Sequence, residues 1–190
     1  MILDPGTGNI LYEKRWRARI GASVNAATPV LTNDMVYFSS RYQTGSICLK
    51  ASGGGYRELW SGDRILSRHY SSSIQSSGYL YGFDGRQEYG TQLRCGSLAG
   101  GKIAWSEAQP GKKKFGSGTL ILAGDKLLVM ADSGELILAR VSPKGYRRLG
   151  SAAILNDTVR AYPALAGGFL YVRSTGELVC VDLRKETKAK

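Results

Sequence analysis

His69 is the one histidine of the chain, and Ser71, Ser72 and Ser73 follow it at once. A ring nitrogen beside a hydroxyl is the pairing that acyl transfer needs, because the imidazole takes the proton as the oxygen attacks. No Gly-x-Ser-x-Gly elbow surrounds these serines, so no strained turn lifts a hydroxyl toward a substrate. His69 reads instead as a polar residue ahead of the first strand of a repeat, with contact to a ligand open to it. Gly96-Ser97-Leu98-Ala99-Gly100-Gly101-Lys102-Ile103 is one residue short of a phosphate-binding loop, and it puts Ile103 where a magnesium-binding hydroxyl belongs. It reads as a hairpin turn. Cys48, Cys95 and Cys180 have no metal-ligand spacing. These residues point to no catalytic group, no bound cofactor and no metal.

Two basic stretches point to different chemistry. Lys112-Lys113-Lys114-Phe115 sets three cations beside a ring, which can grip phosphates and stack a base. Arg15, Arg17 and Arg19 surround Trp16, and alternate spacing puts them on one side of an extended chain. The chain carries 26 basic and 15 acidic residues, a formal net charge of +11. Such a balance favours acidic partners, whether nucleic acid, anionic headgroups or an acidic protein. The same residues also read as solvated connections, and both readings stand. No apolar run reaches the roughly 18 residues of a membrane helix. The first residues lack the basic and apolar regions of a signal peptide.

The elements that must position these groups repeat along the chain. Asp34-Met35-Val36-Tyr37-Phe38 returns as Gly78-Tyr79-Leu80-Tyr81-Gly82, as Asp125-Lys126-Leu127-Leu128-Val129 and as Gly168-Phe169-Leu170-Tyr171-Val172. Val36, Leu80, Leu127 and Leu170 then stand 44, 47 and 43 residues apart, a period that suits a four-stranded propeller blade. Short alternating stretches rich in β-branched and aromatic residues lie between glycine turns, and no 3.6-residue period is sustained. The fold class is therefore all-β: a β-propeller of four-stranded antiparallel blades in about four repeats, near residues 14–61, 62–106, 107–150 and 151–190. Residues 1–13 supply the end of another blade.

Cys48, Cys95 and Cys180 fall at one position of the third strand, held by Leu138 and Ile2 in other repeats. A place shared with Leu and Ile belongs to the core, so all three thiols are expected buried and reduced. Trp60, Trp105 and Tyr12 share the end of the fourth strand, where they pack between blades, and Gly150 breaks that pattern.

Leu3-Asp4-Pro5-Gly6-Thr7-Gly8-Asn9-Ile10-Leu11-Tyr12, Val181-Asp182-Leu183 and, more loosely, Leu98-Ala99-Gly100-Gly101-Lys102-Ile103-Ala104-Trp105 resemble the pyrroloquinoline-quinone-like propeller repeat. Its mark is a third strand ending in Leu-Asp, a Thr-Gly-Lys turn and a strand ending in Trp. The resemblance covers nearly the whole chain. The family includes quinone-dependent dehydrogenases and a non-catalytic branch typified by an outer-membrane assembly lipoprotein. The dehydrogenases carry adjacent cysteines and an acidic calcium site near the axis. This chain has neither, so the resemblance implies the non-catalytic branch, in the periplasm or cell envelope.

The expected function is a scaffold that presents loops to a protein partner. A piece of a quinone-dependent dehydrogenase, its ligands outside this chain, and a polyanion-binding module are the alternatives. Fold alone does not choose among them. The partner-binding rim is expected where the chain leads into the first strands, at Asn25, Arg68, His69, Tyr70, Phe115, Arg160 and Tyr162, because loops on a rigid scaffold carry binding. The chain reads as part of a propeller of seven or eight blades. An open set of blades would self-associate through its wet faces, whereas residues 9–13 paired beside 177–182 would close a ring.

Overall fold

The computed structural model describes residues 1–21, 25–68, 70–108 and 116–184. The chain forms two compact units, Met1–Phe115 with Ser142–Tyr146 and Gly116–Val141 with Arg147–Lys190.

The first unit opens with a short hairpin of β1 (Ile2–Leu3) and β2 (Ile10–Tyr12). Asp4 shapes its turn, its carboxylate accepting hydrogen bonds from the amides of Gly6 and Thr7, both at 2.8 Å. Those bonds hold the Asp4 carboxyl below the usual carboxylate range. Two four-stranded antiparallel sheets follow. One orders β3 (Val30–Leu31), β4 (Met35–Ser40), β5 (Gly45–Ser52) and β6 (Gly55–Gly62); the other orders β7 (Ile74–Ser76), β8 (Tyr79–Arg86), β9 (Gly90–Ser97) and β10 (Ile103–Glu107). The second unit holds a four-stranded sheet of β11 (Gly118–Ala123), β12 (Lys126–Ala131), β13 (Glu135–Arg140) and β14 (Arg147–Ala153), then a sheet of β15 (Ala164–Ala166), β16 (Phe169–Arg173) and β17 (Leu178–Asp182).

The register repeats from sheet to sheet. Tyr37 pairs with Cys48, and Cys48 with Trp60. Tyr81 pairs with Cys95, and Cys95 with Trp105. Leu128 pairs with Leu138, and Leu138 with Gly150. Tyr171 pairs with Cys180. Four independent pairings therefore set the repeat in the alignment that the sequence gives.

Burial is deepest in β12, which is buried from Leu127 to Ala131. Outer strands have one covered side at most, and all seven residues of β14 are exposed. In the first unit Tyr37, Cys48, Ile65, Leu66, Leu80 and Leu98 form one buried cluster, with Trp60 packed against it. In the second, Leu128, Met130, Leu136, Leu155, Leu170 and Val172 play that part.

One expectation about the core is corrected. Cys48 and Cys95 are buried, but Cys180 is exposed. The first two lie beneath a fourth strand that sets a tryptophan opposite them, whereas the described part of the last sheet ends at β17.

Candidate functional site

Antiparallel order puts the lead-in to each first strand at the same end of the sheet as the turn between second and third strands. In the first unit, side chains tie these two features together. Asn25 donates from Nδ2 to the Trp16 carbonyl at 2.6 Å and accepts at Oδ1 from Ser40 Oγ at 2.7 Å, at the end of β4. Ser67 Oγ donates to the Ser40 carbonyl at 3.0 Å. The Ser67 amide donates to Asp84 Oδ1 at 2.6 Å, on β8. The second Asp84 oxygen pairs with Arg94 at 2.7 Å. Burial raises the Asp84 carboxyl, against the lowering effect of the Ser67 amide and Arg94. The lead-in to the second sheet is thus clamped between the two blades of this unit.

Arg68 departs from the expectation that it meets a partner. It is 1 % exposed. Its amide donates to Ser39 Oγ at 3.0 Å, Nη2 to Ser71 Oγ at 2.8 Å, and Nη1 to Ser73 Oγ. A side chain at position 82 would collide with this guanidinium, so Gly82 makes the room it occupies. The serines that looked like nucleophiles beside His69 are two of the acceptors that a buried arginine needs.

The other expected rim residues divide between the units. Asn25 and Tyr70 are exposed in the first, Arg160 and Tyr162 in the second. His69 and Phe115, with Lys112 to Lys114, lie outside the described residues. Around Trp16 the cation on the ring is Lys14, 5.2 Å from its centroid and paired with Glu58 at 2.5 Å. Residues 13–16, which include Arg15 and Trp16, belong to no strand.

A second cluster at the same end of the unit was missed in the sequence. The β8–β9 hairpin extends through Asp84 paired with Gln92, Gly85 with Thr91 and Arg86 with Gly90, and closes in a 3₁₀ turn at Gln87–Tyr89. The Arg86 guanidinium lies 4.9 Å from the Tyr42 ring centroid and 5.6 Å from that of Tyr89, and pairs with Glu88 at 2.8 Å. Tyr42 and Gln43 hold φ of 60° and 63° in the β4–β5 turn, a left-handed conformation that costs about 1 kcal/mol or more per side-chain-bearing residue. Tyr89 is 67 % exposed. Beside it lies a shallow polar cleft of about 240 Å³ lined by Arg41, Asp84, Tyr89, Thr91 and Gln92. The sequence carries one trace of this cluster, the longest repeat step, 47 residues between Leu80 and Leu127. Rings flanking a cation at the end of a hairpin can bind. Among the described residues no three His, Cys, Asp or Glu side chains converge on one point.

A family model described as the outer membrane protein assembly factor BamB matches residues 13–190. Among solved structures, BamB from Moraxella catarrhalis superposes with a TM-score of 0.68 at 14% identity, over 94% of this chain and 50% of that one. The chain thus spans half the length of that protein. The computationally designed protein Ika4 superposes with a TM-score of 0.60 at 10% identity, over 91% of this chain and all (100%) of its own. Ika8, also designed, gives 0.60 at 10% identity over 82% of this chain and 45% of its own. No curated protein matches in sequence. At these identities the superpositions establish the fold, a β-propeller repeat, and the family match establishes kinship.

Proposed function

The chain belongs to the family of the outer membrane protein assembly factor BamB, and from that premise we propose that it is a non-catalytic scaffold of the cell envelope whose hairpin rim binds a protein partner. The observation that carries this reading is Arg86 flanked by Tyr42 and Tyr89 at the tip of a rigid hairpin. Tyrosine and arginine dominate the energetics of protein interfaces because they bring large contact area and directional hydrogen bonds at low entropic cost. The Asp84–Arg94 pair and the Asn25–Ser40 bond hold the base of the rim, so little ordering remains to be done on binding. Asn25 and Tyr70 at this end, and Arg160 and Tyr162 in the second unit, are proposed contacts of the same kind. The net charge of +11 favours an acidic partner surface.

Photo-crosslinking tests the proposal. A photoreactive residue placed at Tyr42 or Tyr89 is expected to trap one common partner. The same residue at Ser52, at the far end of β5 and about 23 Å along the strand from Gly45, is expected to trap none. Adducts at Ser52 alone would overturn the assignment of the rim. Dye reduction with alcohols after adding pyrroloquinoline quinone and calcium to the purified chain would instead establish a dehydrogenase.

A further inference from the structure

The second unit has a groove where the first unit has a tryptophan. In the first sheet Trp60 stands opposite Cys48, its ring 6.1 Å from that of Tyr37 and its Nε1 donating to the Leu98 carbonyl at 2.8 Å. In the next sheet Trp105 stands opposite Cys95, again 6.1 Å from a tyrosine, Tyr81. The same register in the second unit reads Leu128, Leu138 and Gly150. Both rings of the pair are gone, and none of the described residues lining that place is aromatic. A groove of about 540 Å³ lies there, lined by Leu128, Leu136, Leu138, Gly150, Leu165 and Leu183 among others.

The place of the Trp60 acceptor is also kept, while Trp105 donates from Nε1 to the Ser142 carbonyl at 2.8 Å, one residue beyond that place. The Leu98 amide donates to the Gly78 carbonyl at 2.9 Å, and the Leu183 amide to the Gly168 carbonyl at 2.8 Å. Leu183 therefore occupies in its sheet the place of Leu98, whose carbonyl receives the Trp60 N–H. Of the described residues lining the groove, the one ionisable side chain is Lys126, held by Asp125 at 2.7 Å. The lining thus favours an uncharged occupant. Its volume falls in the range of about 300–1,000 Å³ typical of small-molecule sites. We propose that this groove binds a small, neutral, planar aromatic molecule bearing a ring N–H, the chemistry of free indole, which takes the place that Trp60 and Trp105 fill in their own sheets.

The test uses the whole chain with leucine methyl groups labelled for NMR and indole as the probe. Saturable shifts are expected at Leu128, Leu138 and Leu183 of the unmutated protein. Benzofuran, which has the same shape with oxygen in place of N–H, is expected to bind several-fold more weakly. In Gly150→Trp the supplied indole fills the groove, so added indole is expected to shift none of these methyls and the melting temperature is expected to rise. A Cβ at position 150 meets nothing within 4 Å, so the backbone accepts that substitution. Absence of saturable shifts in the unmutated chain, benzofuran binding as tightly as indole, or undiminished indole binding to Gly150→Trp would each overturn the proposal.

Discussion

Cys48 and Cys95 sit at the same register position as Cys180, yet their chemistry differs. Burial pushes both thiols up to about 11, so at pH 8 roughly one molecule in a thousand carries either thiolate. A thiol-reactive dye at pH 8 is expected to label one equivalent quickly, at Cys180, and all three only in denaturant; three quick equivalents would contradict the register. Arg68 shows a related effect of burial. Its place before the first strand of a blade suggests the rim, but it fills the space beside Gly82 and bonds Ser71 and Ser73. Truncation leaves a cavity and hydroxyls without their donor, so Arg68→Ala is expected to cost about 3 kcal/mol in urea unfolding. Tyr70→Ala, at an exposed ring, is expected to cost under about 1 kcal/mol. Nothing in sequence marks an arginine as buried at such a place. The neighbouring serines were visible, but their role as acceptors for Arg68 depends on that side chain being buried beside Gly82.

Turns set the ends of the strands, and two glycines separate a required turn from a permissive position. Gly45 opens β5 with φ of 79°, and a Cβ there would collide with the Gly62 carbonyl on β6. Gly45→Ala is expected to destabilise by about 3 kcal/mol or more, since both φ and backbone crowding oppose it. Gly150→Ala, on β14 with open space around it, is expected to be neutral or to raise the melting temperature slightly. At this scale the sequence was informative. Val36, Leu80, Leu127 and Leu170 placed the second strand of the four larger sheets, and Cys48, Cys95 and Cys180, with Leu138, placed the third. The loops were not legible. Tyr42 meets Arg86 from a different blade, and no local pattern records a meeting across more than 40 residues of chain. The exposure of Cys180 was hidden for a similar reason, because burial of a third strand depends on the strand beside it.

The first unit carries a cluster of tyrosine and arginine at one end, in a chain whose formal net charge is +11. Its core positions repeat from blade to blade, while the chemistry of its loops changes, as expected when a regular scaffold presents a surface that has to be specific. Electrostatic attraction should steer an acidic partner to it, so association is expected to slow as salt rises from 50 to 300 mM while the fold stays intact. The most direct measurement takes the partner trapped at Tyr89 and compares its dissociation constant for Arg86→Ala, Tyr89→Ala and Tyr56→Ala, the last at the opposite end of the same unit. Loss of an interface anchor exceeds about 1.4 kcal/mol, so the account predicts at least about tenfold weaker binding for the two rim variants and a change within about twofold for Tyr56→Ala. Unchanged binding by both rim variants, with weakened binding by Tyr56→Ala, would contradict it.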